Sequence, residues 1–375
     1  MNRGLQLSLR MGSMNADPVP AAVIDALSEV QVSSSVGAQS GFQLKFTLGK
    51  QSTIARTLLP SGYFDPRRRV IITVILNGTP TVLMDGIITK QDMTPGAGPG
   101  QSTLTVTGLD ISALMDFIDL TGIPYPAMPL FAIVNLVLAK YLAFGVVPLV
   151  IPNIIGLISN PLERFKKHQG TDYAFVNTLA QQNGHVFYID PGPQPGQSFA
   201  YWGPELGGFM ATQPALTIDT DAANTVEGLN FSYDGTAAKK YIVTILEPNS
   251  KVPIPIPLPE IDMLKASLSK QAPTPLKSQV LGEMTNKSFP EAALMVLGAL
   301  VKSADAISAS GQLDVLRYGH ILQARRKVAV RGAGAYYDGL YSVKSVTHSI
   351  KRGEYTQSFT LKRGGLFSSV DKVEL

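Results

Sequence analysis

Gly339-Leu-Tyr-Ser-Val-Lys-Ser-Val-Thr-His-Ser-Ile350 is rich in β-branched and aromatic residues, and Lys351-Arg-Gly-Glu354 follows it as a polar turn, with Gly353 placed for positive φ. Tyr355-Thr-Gln-Ser-Phe-Thr-Leu361 then alternates: Tyr355, Gln357, Phe359 and Leu361 share one face, and Thr356, Ser358 and Thr360 the other. That is the pattern of a half-buried antiparallel strand. The first arm is less regular. Tyr341 and Val343 point one way while Val346, His348 and Ile350 point the other, and the phase change near Ser345 predicts a β-bulge.

The same grammar runs through the N-terminal third. Leu5 to Leu9 alternates as a short strand does, and Val23 to Val32 reads as helix or strand. Gly41-Phe-Gln-Leu-Lys-Phe-Thr-Leu48 puts Phe42, Leu44, Phe46 and Leu48 on one face. Arg69-Val-Ile-Ile-Thr-Val-Ile-Leu76 meets Asn77-Gly78, the strongest short hairpin signal, and Thr81-Val-Leu-Met-Asp-Gly-Ile-Ile-Thr89 returns. Thr94 to Gly100 reads as a loop. Ser102-Thr-Leu-Thr-Val-Thr-Gly-Leu-Asp110 alternates again, before an apolar Leu114-Met-Asp-Phe117.

Gly122 to Ser159 is the most apolar part of the chain, and Ala132 to Ile158 holds a single charge, Lys140. About 20 apolar residues can cross a bilayer. Pro124, Pro126, Pro129, Pro148 and Pro152 argue against a straight span. The expectation is a buried helix followed by proline-broken loops, or an apolar face between subunits, with Leu136, Val137 and Lys140 as interaction residues. Asn160-Pro161 reads as an N-cap and first helical residue. Thr171 caps a second helix whose Tyr173, Val176, Leu179 and Ala180 share a face, and Asn183-Gly184 ends it. His185-Val-Phe-Tyr-Ile189 and Phe199-Ala-Tyr-Trp202 are strands around the loop Pro191 to Gly196.

Ala215-Leu-Thr-Ile218, Thr225 to Asp234 and Lys240 to Leu246 open a second β region. Val252 to Pro259 alternates with proline and predicts extended polyproline II. Ser288-Phe-Pro-Glu291 fits a capping box and starts a helix through about Ser308. Gln312 to Gly319 leads into Lys327-Val-Ala-Val-Arg331 and the closing hairpin.

Three groups of residues carry a family resemblance. The hairpin Asp338 to Arg363 resembles the closing hairpin of the baseplate hub of contractile tails. That family includes phage late control protein D and the hub portion of the valine–glycine repeat spike proteins of type VI secretion. Ser40-Gly-Phe-Gln-Leu44, the step Asp85-Gly86-Ile87-Ile88 and the ending Gly108-Leu-Asp110 resemble landmarks of that family's first barrel. Asp172-Tyr-Ala-Phe-Val-Asn-Thr-Leu-Ala180, Asn183-Gly-His-Val-Phe-Tyr188 and Tyr201-Trp-Gly-Pro204 resemble its small α/β domain. The resemblance covers about residues 20 to 365 and implies a mainly β chain: two tube-protein-like β-barrel domains flanking a small α/β domain. The implied division is 1–118, first barrel; 119–210, apolar segment and α/β domain; 211–365, second barrel with a helical insertion at about 260–311; and 366–375, a tail.

Composition bounds the chemistry. The chain has 375 residues, a charged fraction of 16% and a net charge of +4, against a typical charged fraction of about 25%. So low a fraction fits a surface that meets other protein, or a β chain rich in Ser, Thr and Gly. The basic clusters Arg67-Arg-Arg69, Lys166-Lys167, Lys239-Lys240 and Arg325-Arg-Lys327 flank apolar runs. They read as solvated strand ends, with no nucleic-acid sequence recognition. The absence of cysteine excludes disulfide and thiolate chemistry. Residues 1–10 have no apolar core of signal-peptide length, so the expected starting place is the bacterial cytoplasm.

His168, His185, His320 and His348 have no zinc-type spacing, and no nucleophile elbow, P-loop or dinucleotide fingerprint appears. His185 and His348 read as satisfied structural histidines. Asp85 and Asp110 read as turn caps at strand ends, and Trp202 as a core aromatic. The expectation is no catalytic residue, no cofactor and no metal. The resemblance implies a structural hub: a homotrimer adapting a sixfold inner tube to a threefold spike in the baseplate of a virion or phage-tail-like particle. Its partners would be the spike, the inner tube and other baseplate proteins, with no stable membrane insertion. The alternatives are a tail-associated cell-wall-degrading enzyme and a membrane-associated adaptor using residues 122–159.

Overall fold

The computed structural model describes residues 4–96, 98, 102–126, 128–152, 166–205, 212–219, 224–237, 239–242, 244–246, 253–255, 268–271, 277–280 and 305–368. Within them the chain is mainly β with an α/β insert. The N-terminal strands are β1 (Leu5–Gly12), β2 (Ala16–Pro18), β3 (Leu27–Ser35), β4 (Gly41–Leu48), β5 (Arg69–Leu76), β6 (Thr79–Thr94) and β7 (Ser102–Asp110). Helix α1 (Ala21–Ala26) precedes β3 directly, so the ambiguous stretch Val23 to Val32 is the end of a short helix and then a strand. Phe42, Leu44, Phe46 and Leu48 of β4 are all buried, as their period requires. Asn77 and Gly78 have φ of 53° and 84°, the two positive values that a tight hairpin turn needs.

The insert contains β8 (Pro124–Tyr125), α2 (Leu130–Ala139), β9 (Val146–Val150), β10 (Lys166–Lys167), α3 (Asp172–Gln182), β11 (His185–Pro191) and β12 (Ser198–Pro204). Thr171 caps α3, its side chain accepting from the Ala174 N–H at 3.2 Å. Phe175, Val176, Leu179 and Ala180 are the buried apolar residues of α3, while Tyr173 is half-buried at the core's margin. The proline-broken loops expected after α2 are in part a strand: β9 runs parallel to β12 at the edge of a three-stranded sheet ordered β11-β12-β9. The bonds from Ser198 N–H to Gly145 O and from Ile151 N–H to Trp202 O set the phase of that pairing. Val147 and Leu149 turn their backbone groups to β12, and Pro148 turns outward. The donor that proline lacks is therefore on the open edge, where a strand tolerates it. The expected cap at Asn160-Pro161 lies outside the described residues.

The C-terminal strands are β13 (Gln213–Thr217), β14 (Gly228–Tyr233), β15 (Lys239–Ile242), β16 (Thr244–Leu246), β17 (Pro253–Pro255), β18 (Ser269–Gln271), β19 (Lys277–Val280), β20 (Ile307–Asp314), β21 (Lys327–Arg331), β22 (Gly339–Lys351), β23 (Glu354–Arg363) and β24 (Leu366–Ser368). Two expectations change here. Pro253–Pro255 pairs antiparallel with β16 instead of standing alone as polyproline II. Ile307 and Ser308 begin β20, so the helix expected through Ser308 does not reach that far. Its capping box at 288–291 lies outside the described residues, and the described elements within 260–311 are strands.

The closing hairpin forms as its pattern predicts. Tyr355, Gln357, Phe359 and Leu361 are buried. The register of β22 against β23 slips between Val343 and Ser345, which is the predicted bulge. Its effect is to bring Tyr341, Val343, Val346, His348 and Ile350 all to the buried side despite their change of phase. Past the bulge, β22 also pairs with β3, from Ser345 opposite Ser35 to Lys351 opposite Glu29. That seam joins both ends of the chain into one 13-stranded sheet, ordered β14-β20-β23-β22-β3-β4-β7-β6-β5-β1-β2, with β21 and β13 branching from β22. One core cluster draws side chains from both ends, and a second fills the insert.

The glycines of the first β region have a steric reason. A Cβ at Gly108 would lie 2.3 Å from the Ile87 carbonyl oxygen and 2.3 Å from Phe42 Cζ. One at Gly86 would lie 2.4 Å from the Leu109 oxygen and 2.9 Å from Phe42 Cε1. The Phe42 ring therefore packs directly against Gly86 and Gly108, which is why glycine stands in Asp-Gly-Ile and Gly-Leu-Asp.

Candidate functional site

The apolar segment presents two surfaces. On α2, Ile133, Val134, Val137 and Leu138 face the insert core, while Leu136 is 52% exposed. The three interaction residues expected from sequence thus separate. Leu136 faces outward. Val137 is buried within the chain, where it can only support the surface from behind. Lys140 lies at the end of α2, half-exposed, with Nζ 2.7 Å from Asp172 Oδ1. Asp172, in the first turn of α3, also accepts from Tyr141 Oη at 2.6 Å, and His168 Nε2 lies 3.5 Å away. Burial and the neighbouring Asp172 both push the Tyr141 phenol well above its ordinary range, so it stays a donor. The second surface is the outer face of the small sheet. There Val147 and Leu149 are exposed, and lie opposite Phe199 and Tyr201 of β12. Tyr201 stacks on Tyr188 at 5.0 Å. Among the described residues up to 205, the exposed large hydrophobics other than Met14 and Met93 all lie between Phe117 and Leu149, the kind of clustering that marks interaction surfaces.

Two arginines read from sequence as solvated strand ends are buried. Arg69 forms a two-pronged pair with Asp85, Nε to Oδ1 at 2.7 Å and Nη2 to Oδ2 at 2.6 Å. Asp85 is accordingly an ion-pair partner inside a strand, not a turn cap. Arg325 pairs with Asp190 and lies 4.3 Å above the Tyr188 ring. The first pair was not readable from the Asn77-Gly78 turn: counted from that turn Arg69 would face Gly86, and the register shift between Ile72 and Thr73 moves it opposite Ile87, on the same face as Asp85. Asp110 does cap, accepting from Ser40 N–H at 2.6 Å and Ser112 N–H at 2.9 Å. Burial pushes its carboxyl above the usual carboxylate range, against those hydrogen bonds.

Among the described residues no group of three or more His, Asp or Glu side chains is placed to hold a metal ion, and no helix is long and apolar enough to cross a membrane. Trp202 is fully buried and donates to the Val176 carbonyl at 3.3 Å, as a core aromatic should. His348 Nδ1 lies 2.7 Å from Tyr355 Oη and 3.1 Å from Gln357 Nε2. His185 differs from expectation: its ring stands edge-on to Trp202 at 4.3 Å, and Nδ1 has no hydrogen-bond partner.

Burial pulls both histidines down to about 4, from about 6.5 in an unfolded chain. As pH falls below that unfolded value, the unfolded chain takes up protons that the folded one refuses until near pH 4. Stability should therefore be full above about pH 6.5 and decline toward pH 4. Urea unfolding at pH 7.5 and pH 5 measures this. His348→Gln is expected to flatten the decline, and a wild-type stability independent of pH in that window would show that the histidines are charged when folded.

No protein-family model matches the chain, and no curated protein matches it in sequence. Solved structures do match. A tail protein from Neisseria meningitidis MC58 superposes with a TM-score of 0.64 at 14% identity, over 97% of this chain and 98% of that one. The 43 kDa tail protein of prophage MuSo2 from Shewanella oneidensis gives 0.63 at 13%, over 96% and 99%. A component of the E. coli type VI secretion system, itself structurally similar to T4 bacteriophage tail proteins, gives 0.56 at 13%, over 92% and 76%. This chain has the fold of tail proteins. The likeness runs over nearly the whole length of this chain and of the first two.

Proposed function

We propose that the chain is the structural hub of the baseplate of a contractile phage tail or a phage-tail-like injection system, a homotrimer that adapts a sixfold inner tube to a threefold spike. The observation that carries this reading is the end-to-end likeness to tail proteins. The similarity to a type VI secretion component supports a contractile setting and a spike-type partner. In this reading residues 1–118 and 211–365 are the two tube-like units, 119–210 is the insert between them, and the protein is not an enzyme. It assembles in the bacterial cytoplasm and ends in the baseplate, in contact with spike, inner tube and other baseplate proteins and without stable membrane insertion.

Within that assembly Leu136 and the Val147–Leu149 face are the contact surfaces of the insert, flanked by Lys140 and backed by Val137. The test is mass measurement of the purified chain, alone and with a spike protein of the same tail. The expected mass is that of three chains. Leu136→Asp, on the exposed side of α2, should keep the fold and weaken assembly. A chain that stays monomeric in the presence of the spike would refute the hub reading.

A further inference from the structure

We infer that the tip of the β11–β12 hairpin is a latch gripped from both ends of the chain, so that the insert seats only once the seam between β3 and β22 has formed. The tip is the proline-rich turn between Asp190 and Ser198. From the N-terminal end of the chain, Arg69 Nη2 donates to the Gly196 carbonyl at 3.1 Å and to the Phe144 carbonyl at 2.8 Å, and Ser198 Oγ lies 3.4 Å from Asp85 Oδ2. From the C-terminal end, Arg325 pairs with Asp190 and covers Tyr188.

Arg325 also touches the seam. Its Nη2 donates to the Ser35 carbonyl at 2.7 Å and lies 3.3 Å from Ser40 Oγ, at the two ends of the β3–β4 turn. Its own N–H bonds to the Val343 carbonyl at 2.8 Å, beside the bulge at which β22 turns to pair with β3. Ser35 is the residue opposite Ser345 where that pairing begins. One guanidinium therefore holds the first rung of the seam and the tip of the insert together. Its backbone takes a φ of +67° to do so, and its Nε is buried without a partner.

A buried arginine has given up its hydration, and it recovers that loss only when its remaining partners are all in place. Grips of this kind engage together or not at all. If either arginine lets go, the tip loses its seat, although the core beneath α2 and α3 persists.

The test is amide hydrogen exchange on the full chain, read by mass spectrometry. Three forms are compared with wild type: Arg325→Met; Arg69→Met with Asp85→Leu, which removes both partners and leaves no orphan charge; and all three substitutions together. Each of the first two should speed exchange in His185–Pro191 and Ser198–Pro204 by about tenfold, and the triple form no further. The closing hairpin Gly339–Lys351 and Glu354–Arg363 should keep its wild-type protection. Unchanged exchange in the insert strands, a loss spread equally over the closing hairpin, or effects that simply add would overturn the inference. Should Arg325→Met fail to fold, Asp190→Asn, at a partly exposed position, must show the same selective loss. Unchanged exchange in that form would overturn the inference too.

Discussion

Phe359→Asp is expected to leave the chain unable to fold. Phe359 is 3% exposed, in the middle of a strand flanked on both sides, and lies opposite Gly311 and Val346. Its ring covers Gly311, where a Cβ would meet Phe359 Cζ at 2.9 Å. Losing the buried ring costs roughly 1.5–3 kcal/mol, and burying an unpaired carboxylate costs several more. The sum approaches the whole stability of a typical domain, about 5–15 kcal/mol. Thr360→Asp, one residue on and half-exposed on the opposite face, should cost about 1 kcal/mol or less. Soluble yield and thermal unfolding of the two variants decide the matter. Equal melting temperatures would mean that the strand does not face the core in this register.

Gly108→Val should be nearly as damaging, at about 3 kcal/mol or more. The Phe42 ring can swing away, but the Ile87 carbonyl oxygen, 2.3 Å from the new Cβ, belongs to a paired backbone and cannot. Relieving that contact means breaking the ladder between β6 and β7 beside the cap at Asp110. Gly228→Ala is the control. It sits on the edge strand β14 with nothing within 4 Å of a Cβ, and should be neutral within about 0.5 kcal/mol. A Gly108→Val protein with the wild-type unfolding midpoint would show that Phe42 does not pack over these glycines.

Much of this fold is written in local pattern. The closing hairpin, its bulge, the turn at Asn77-Gly78 and the cap at Thr171 each follow from a few adjacent residues, since the period of a strand and the φ demanded by a turn are local properties. The glycine-bearing landmarks around Phe42 were visible as motifs, but not the ring that requires them. Gly86 and Gly108 meet Phe42 only after three strands have paired. The segment 122–159 shows the reverse case. Its hydrophobicity was plain, yet hydrophobicity alone did not separate Val137, which is buried, from Leu136 beside it, which is exposed.

By itself the sequence determined that this chain is mainly β, where strands such as Gly41–Leu48, Arg69–Leu76, Ser102–Asp110 and Lys327–Arg331 begin and end, and that a small α/β unit interrupts it. The tertiary structure alone decided that the two ends fuse into one sheet through Ser345 and Ser35, that β9 adds to β12 in parallel, and that Arg69 and Arg325 are interior. The physical reason is that an arginine beside an apolar run looks the same in sequence whether water or protein surrounds it. What buries Arg325 is a carboxylate 135 residues away and a carbonyl 290 residues away, and no local period carries that information.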